Sequence, residues 1–121
     1  KRRGRDWVLN GAKMWITNAP IADLAVVWAK TEEGIRGFLV EKGAKGLAAP
    51  EIEKKFSLRA SSTAELSLHE VRVPARNVLP KGQGLRAPLS CLNQARMGIA
   101  FAVTGGRRER RRRPRRQCGG H

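Results

Sequence analysis

The sequence predicts a mainly β fold, in which a small antiparallel β-domain is followed by one α-helix and an arginine-rich tail. Short apolar and β-branched runs are separated by glycine-containing turns as far as about residue 83. The segment 63–74 alternates with a period of two, and from Gly84 onward the period becomes that of a helix. With 121 residues, the chain is expected to build one core.

The first strands are predicted in "WVLNGAKMWITN", residues 7–18. Asn10 and Gly11 tolerate a positive φ and therefore predict a tight hairpin turn between two short strands. The run 24–29 is continuously apolar, which predicts a strand buried on both faces. The turn "KTEEG" then leads into a further strand over 35–41.

The second half of the β-domain is predicted to contain two more strands. The segment 47–58 is interpreted as a strand entered through Pro50, which lacks a backbone N–H and so favours a strand start or edge. In 63–74 the apolar alternation slips by one position at His69 and Glu70. This slip predicts a bulge or turn there.

The helix is predicted over 84–105, because its apolar residues recur on one face. Arg96 falls within the same stripe as Leu89 and Leu92. A guanidinium in an apolar stripe requires an anion or a path to water, because an unpaired buried charge is costly. A protein carboxylate, a side chain that reaches solvent and a ligand phosphate or carboxylate all remain open as interpretations.

The formal net charge of +15 is concentrated at the two ends of the chain. Residues 107–116 hold eight arginines and one glutamate, and the first five residues are "KRRGR", so the body is only mildly basic. The cysteines, Cys91 and Cys118, form neither a disulfide framework nor a metal-ligand spacing, and a reducing compartment is expected. No run is apolar enough for a membrane span, which favours a soluble intracellular protein.

Motifs for several kinds of chemistry are missing from the sequence. It contains no glycine-rich phosphate loop after a strand, no zinc-ligand spacing and no credible Ser/His/Asp set. His69 and His121 are far apart and have no neighbouring ligand residues. The residues alone therefore indicate a β-rich module that binds a ligand or holds a cofactor.

Three stretches carry a resemblance to a known family: "LNGAKMWITNAPIADLAVVWAK", "KFSLRASSTAELSLHEVRVPARNVLP" and "CLNQARMGIA". They resemble, in order and spacing, the middle β-domain and the following helix of the flavin-dependent acyl-CoA dehydrogenases, most closely the glutaryl-CoA dehydrogenase branch. The resemblance implies that 1–83 is a partial middle domain and that 84–105 is the first helix of a C-terminal helical domain. Residues 106–121 are then an arginine-rich tail expected to be disordered, which a reading-frame error or a truncated gene would explain.

The resemblance implies a flavin-contacting segment at Trp15, Ile16 and Thr17. In such a segment the indole packs near the isoalloxazine of FAD, and the threonine hydroxyl donates a hydrogen bond near its N5 atom. Because side chains alternate along a strand, Trp15 and Thr17 are expected on one face. An ordinary core tryptophan beside a strand threonine is the alternative.

The resemblance also implies an acyl-CoA site along the helix. Asn93 and Arg96 are three residues apart and can address one ligand together. The full set of residues implied for substrate binding is Leu89, Ser90, Cys91, Leu92, Asn93 and Arg96. An intraprotein salt bridge is the alternative role for Arg96.

The chemistry implied is removal of an α-proton from an acyl thioester by a carboxylate, with transfer of the β-hydrogen as hydride to the flavin. In the glutaryl branch, decarboxylation to crotonyl-CoA follows. The implied partners are glutaryl-CoA or another acyl-CoA and an electron-transfer flavoprotein. A homotetramer is also implied, in the cytoplasm of a bacterium or the mitochondrial matrix of a eukaryote, with no specific nucleic acid, membrane or metal.

This chain departs from the family pattern, since it lacks the N-terminal helical domain and the segments downstream of about Gly105. No catalytic residue is assigned, because its glutamates up to Glu70 fall in predicted strands or turns of the β-domain. The chain is therefore expected to be inactive in isolation. Other hypotheses are an enzyme of different chain-length preference, a basic β-module that binds nucleic acid through its ends, and a folding remnant whose strand edges associate.

Overall fold

The computed structural model describes residues 1–112, which divide into a β-unit, Lys1–Leu85, and a second unit that begins at Arg86. The β-unit contains seven strands and one 3-10 helix, Ala75–Asn77. The strands are β1 Arg2–Arg3, β2 Asp6–Thr17, β3 Leu24–Thr31, β4 Gly34–Glu41, β5 Leu47–Ala48, β6 Thr63–Pro74 and β7 Val78–Gln83. The second unit contains one described helix, α1 Arg86–Arg112.

All the strand pairs are antiparallel, and they form two sheets. The first sheet has the order β1-β2-β6-β5, and the second has the order β3-β4-β7. The fold class expected from the sequence, an antiparallel β-domain followed by one helix, is confirmed.

The hydrophobic core takes residues from both sheets. Phe38 of β4 is fully buried, and its ring meets that of Trp7 edge to face, with ring centroids 5.5 Å apart. The alternating apolar residues of β6 supply the largest share of the buried cluster. Its members are Trp7, Leu9, Val27, Phe38, Val40, Leu66, Leu68, Val71 and Val73.

The predicted hairpin turn at Asn10 and Gly11 is wrong. Both residues lie inside β2, a single strand of 12 residues that pairs along β6, which is also 12 residues long. The turn in this part of the chain instead falls after β1, where Gly4 has a φ of 60°. The long pairing with β6 overrides the local turn preference, and the Asn10 side chain bonds to Glu70 across the strands.

The predicted irregularity at His69 and Glu70 is confirmed. Leu9 pairs with Val71 and Gly11 pairs with Leu68, so two residues of β6 face Asn10. Glu70 adopts a φ of 52°, and β6 therefore contains a bulge. The one-position slip in the apolar pattern correctly marked this point.

The prediction of a strand over 47–58 holds only at its start. Strand β5 ends at Ala48, and Glu51 forms an isolated bridge with Ala64. The backbone then becomes irregular, with positive φ at Lys54 and Leu58. Strand β7 was not predicted, because "VLPKGQ" contains a proline and a glycine that usually weaken strands.

The β2 strand has a partly open outer edge. Strand β1 pairs with it only at Asp6 and Trp7, and Lys1 exchanges hydrogen bonds with Val8. Within residues 1–112, no strand pairs with the outer edge over 9–17.

The helix expected over 84–105 is present as α1, which begins at Arg86 and continues to Arg112. It therefore takes in the first part of the segment for which disorder was expected, 106–121. The rest of that segment lies outside the described residues. Over 1–112, no helix is long and apolar enough to cross a membrane.

Candidate functional site

The end of β2 presents an exposed tryptophan on a strained backbone. Lys13 pairs with Leu66 and Ile16 pairs with Ala64, so Met14 and Trp15 together face one residue of β6. This is a second bulge in the pairing of β2 with β6. Trp15 has a φ of 62°, and its side chain is 64% exposed. A bulky residue seldom adopts this left-handed conformation, which makes the site a structural outlier.

The next two residues differ in burial. Ile16 is half-buried and packs against the core, whereas Thr17 is exposed. The Thr17 hydroxyl makes no hydrogen bond within the β-unit, residues 1–85, so its donor is available to a ligand. An exposed indole and an available hydroxyl thus lie two residues apart.

The expectation that Trp15 and Thr17 share a face rested on regular alternation along β2. The bulge interrupts that alternation at Trp15, because its positive φ turns the chain out of the extended conformation. Strand periodicity alone therefore does not place the two side chains together. No pattern in the sequence marked this second bulge.

A cavity of about 560 Å³ opens beside this segment, in the size range of small-molecule sites. Residues from both sheets line it, including Ile16 and Thr17 of β2 and Val27 of β3. Its lining is mainly apolar, and the cationic side chains in it are Lys13 and Lys42. Sequence reasoning selected neither lysine as a site residue, since no pattern connected them with a ligand.

The other implied site residues lie on α1. Residues 91–106 are all exposed, as are Leu89 and Ser90. The Ser90 hydroxyl donates to the Ala87 carbonyl oxygen at 2.8 Å, so this hydrogen is already used within the helix. Cys91 is an exposed free thiol.

Asn93 and Arg96 are one turn apart on α1, as the sequence predicted. The first acidic residue of this helix is Glu109, far from Arg96 along the chain. Over 86–106, the part of α1 whose side chains are described, the helix offers no carboxylate to Arg96.

Two glutamates of the β-unit, Glu33 and Glu70, make structural contacts. Glu33 pairs with Arg36 across the turn between β3 and β4. Glu70 accepts a hydrogen bond from Asn10 and pairs with Arg3 at 3.6 Å. Within the described part of the chain, no cluster of acidic, histidine and cysteine side chains could hold a metal ion.

Strand β2 of the first sheet ends in an exposed indole and an exposed hydroxyl, and Thr17, which carries the hydroxyl, lines the apolar cavity, whereas Trp15 does not. An exposed aromatic ring and a mainly apolar cavity suit a flat, largely apolar ligand. Comparison with known proteins specifies the class: residues 1–71 match the profile of the acyl-CoA dehydrogenase middle domain. The chain therefore belongs to the acyl-CoA dehydrogenase family.

Individual relatives of known structure or function support this assignment. A glutaryl-CoA dehydrogenase from Mycobacterium smegmatis, solved in complex with FADH2, is 61% identical with a TM-score of 0.81, over 83% of this chain and 26% of that one. The human mitochondrial very long-chain specific acyl-CoA dehydrogenase is 40% identical over 113 residues, 84% of this chain and 17% of the relative. The short-chain specific acyl-CoA dehydrogenase of Clostridium acetobutylicum is 39% identical over 108 residues, 84% of this chain and 28% of the relative.

The chain thus spans roughly a sixth to just over a quarter of the length of these relatives. The relatives differ in the acyl chain that their names specify. Membership of the family is therefore shown, and the substrate is a separate question.

Proposed function

We propose that this chain supplies the flavin-facing β-surface and an acyl-CoA-facing helix of an FAD-dependent acyl-CoA dehydrogenase, and that the substrate is glutaryl-CoA. The observation that carries the proposal is the end of β2, where Trp15 is exposed and the Thr17 hydroxyl makes no hydrogen bond within residues 1–85. These groups suit a planar, largely apolar ring system that has hydrogen-bond acceptors at its edge.

In this proposal Trp15 offers an aromatic surface to the isoalloxazine, and Thr17 donates a hydrogen bond at its edge. Bound FAD would supply an acceptor for the hydride that leaves the β-carbon of the acyl thioester. A hydroxyl donor beside the acceptor position stabilises the charge that develops there. Ile16 lies between these two residues and packs against the core, which ties the segment to the β-unit.

On α1, Asn93 and Arg96 are proposed to bind the acyl-CoA. Arg96 supplies a fixed positive charge for an anionic group of the ligand, and Asn93 can donate to or accept from a neighbouring amide or carbonyl. The apolar residues Leu89 and Leu92 flank them on the same helix and are exposed. The carboxylate that removes the α-proton is proposed to come from a part of the enzyme beyond this chain, together with the electron-transfer flavoprotein contacts and the tetramer interface.

The glutaryl preference rests on the 61% identity with the M. smegmatis glutaryl-CoA dehydrogenase, against about 40% for the chain-length-specific relatives. An enzyme with a different acyl preference is the competing proposal.

A chimaeric enzyme tests the function. Residues 1–105 of this chain replace the corresponding segment of the M. smegmatis glutaryl-CoA dehydrogenase, and the purified chimaera is assayed for bound flavin and for oxidation of glutaryl-CoA. We expect retained flavin absorbance and turnover. A folded chimaera without flavin would rule out the proposed role of β2, since the rest of the enzyme is unchanged.

The same chimaera tests the substrate. Butyryl-CoA and palmitoyl-CoA are compared with glutaryl-CoA in the chimaera and in the unmodified parent enzyme. We expect the order of kcat/KM to stay the same in both. A shift towards butyryl-CoA or palmitoyl-CoA would favour the competing acyl preference.

A further inference from the structure

Trp15 combines an unfavourable backbone conformation with a largely exposed side chain. Its backbone lies in the left-handed region, at a φ of 62°, which is unfavourable for a bulky side chain. Its indole is also largely exposed, so burial of the ring in this chain does little to offset the strain. Backbone strain of this kind persists where the surrounding structure imposes it, and it is concentrated at ligand sites.

The residues on either side of Trp15 impose this conformation. Before the bulge, Lys13 is paired with Leu66, and after it Ile16 and Thr17 are paired with β6. The Asn18 N–H then donates to the Ser62 carbonyl oxygen at 2.8 Å. The chain therefore has to fit two residues, Met14 and Trp15, into the space of one.

Ile16 is the residue in this segment whose side chain is anchored. Met14, Trp15 and Thr17 are exposed, whereas Ile16 is half-buried and packs against the core cluster. Its strand partner, Ala64, is fully buried. If Ile16 left its place, the register after the bulge would be free to slip, and Trp15 could relax to an extended conformation.

We infer that Ile16 is a positioning residue, which by packing against the core directly after the bulge holds Trp15 in its left-handed conformation with the indole directed outward. The nature of the planar ligand rests on the proposed function. The backbone strain at Trp15 is a property of this chain alone, and it can be tested without any ligand.

The first experiment compares Trp15→Gly with Trp15→Ala in the 121-residue chain by thermal unfolding. Glycine adopts a positive φ without steric cost, so Trp15→Gly is expected to unfold about 4–8 °C above Trp15→Ala. The matched control is the neighbouring Met14, which is exposed and is not among the residues with positive φ. At position 14 the order should reverse, and Met14→Ala should unfold at a higher temperature than Met14→Gly. An alanine variant that is the more stable at both positions would overturn the inference.

The second experiment tests the anchor in the chimaeric enzyme described above. Ile16→Ala is expected to weaken FAD binding about tenfold, the loss expected when one stacked aromatic contact is misplaced, and Ile16→Val is expected to restore most of it. Val73→Ala is the control, because Val73 is buried at the opposite end of the β2–β6 pairing and its loss should lower stability without changing FAD affinity.

The outcomes separate the inference from the function. If Ile16→Ala lowers the unfolding temperature as Val73→Ala does but leaves FAD affinity unchanged, Ile16 is an ordinary core residue and the positioning role is wrong. If the chimaera with Ile16 intact binds no FAD, the proposed function fails, while the glycine–alanine comparison at Trp15 still decides whether the backbone is strained.

Discussion

Asn10 and Glu70 join β2 and β6 through a reciprocal pair of hydrogen bonds at the first bulge. The Asn10 Nδ2 donates to the Glu70 Oε1 at 2.7 Å, and the Glu70 backbone N–H donates to the Asn10 Oδ1 at 2.8 Å. The side chain of Asn10 thus satisfies a backbone donor that the bulge leaves without a strand partner. Arg3, at the start of the chain, pairs with the same carboxylate.

This arrangement predicts an acid-sensitive contribution to stability. The hydrogen bond from Asn10, assisted by the charge of Arg3, holds the pKa of Glu70 below its ordinary value of 4.5. Because the folded-state pKa is lowered, the contribution is present above 4.5 and is lost as the pH falls through the folded-state pKa.

The check compares thermal unfolding of the unmodified chain and Glu70→Gln between about pH 5 and pH 3. Glutamine can still accept from Asn10, so the fold should be kept. The unfolding temperature of the unmodified chain should exceed that of the variant at about pH 5, and this excess should disappear as the pH falls. Asn10→Ala, which removes the hydrogen bond to Glu70, should also reduce the dependence of the unfolding temperature on pH. Parallel pH profiles for the unmodified chain and Glu70→Gln would contradict the assignment.

Gly46 predicts a steric requirement that Gly43 does not share. Both have positive φ, of 86° and 79°, but a Cβ on Gly46 would lie 1.9 Å from the His69 carbonyl oxygen, whereas a Cβ on Gly43 would meet nothing within 4 Å. Gly43→Ala should lower the free energy of unfolding by about 1–2 kcal/mol, because of the backbone conformation alone. Gly46→Ala should lower it by about 1–3 kcal/mol more, because β6 has to move. Urea unfolding of the pair measures the difference, and equal costs would show that the contact with His69 is not tight.

The burial of Phe38 predicts that this one side chain contributes a large part of the stability of the domain. It is 0% exposed and meets Trp7 edge to face. Phe38→Ala should destabilise the β-unit by about 3–5 kcal/mol, a large part of the stability of a small domain. Phe38→Leu fills more of the space and should cost less. Denaturant unfolding followed by circular dichroism tests this order.

Thr17→Val is predicted to affect the reaction and leave the fold intact. The hydroxyl makes no hydrogen bond within residues 1–85, so the free energy of unfolding should change by less than about 0.5 kcal/mol. In the chimaera, reduction of the flavin by glutaryl-CoA should slow, because a donor is removed while the shape is kept. Stopped-flow absorbance measures this rate.

Thr31→Val is the matched control for Thr17. The Thr31 hydroxyl donates to the Gly34 carbonyl oxygen and accepts from the Glu33 N–H in the turn between β3 and β4. Its loss should lower stability and leave the rate of flavin reduction unchanged. A Thr17→Val variant that behaves in the same way would assign Thr17 a structural role.

Arg96→Ala is predicted to weaken acyl-CoA binding more than it weakens the fold. Loss of a hydrogen-bonded charge pair costs about 1.5–3 kcal/mol, which corresponds to roughly a 10- to 150-fold rise in Kd. Titration of the chimaera with an acyl-CoA measures the Kd, and Arg86→Ala, at the first residue of α1, controls for loss of one positive charge. Equal losses of affinity and stability would favour an intraprotein salt bridge.

The sequence was most informative where a pattern extended over many residues. The apolar alternation of β6, including its slip at Glu70, correctly predicted a bulged strand, and the recurring apolar residues of α1 correctly predicted a helix. The β6 pattern records which face of the strand is buried. The apolar residues of α1 recur with the period of a helix although residues 89–106 are exposed, so the period itself predicted this element.

Local turn signals were less informative. Asn10 and Gly11 have the residue types of a hairpin turn, yet they lie within β2 because pairing along the whole of β6 outweighs two residues of turn preference. The bulge at Trp15 left no trace in the sequence, since its cause is the register of a strand about 50 residues away. The site residues themselves were suggested by family resemblance, and their roles remain predictions.

The open outer edge of β2 has a consequence for handling the molecule. Over 9–17 this edge carries N–H and C=O groups without a strand partner among the described residues, and such a row is a template onto which a foreign strand can add. The net charge of +15 opposes such stacking by mutual repulsion, which dissolved salt weakens. Ionic strength should therefore govern how long the purified polypeptide stays dispersed before it forms fibrils or precipitates.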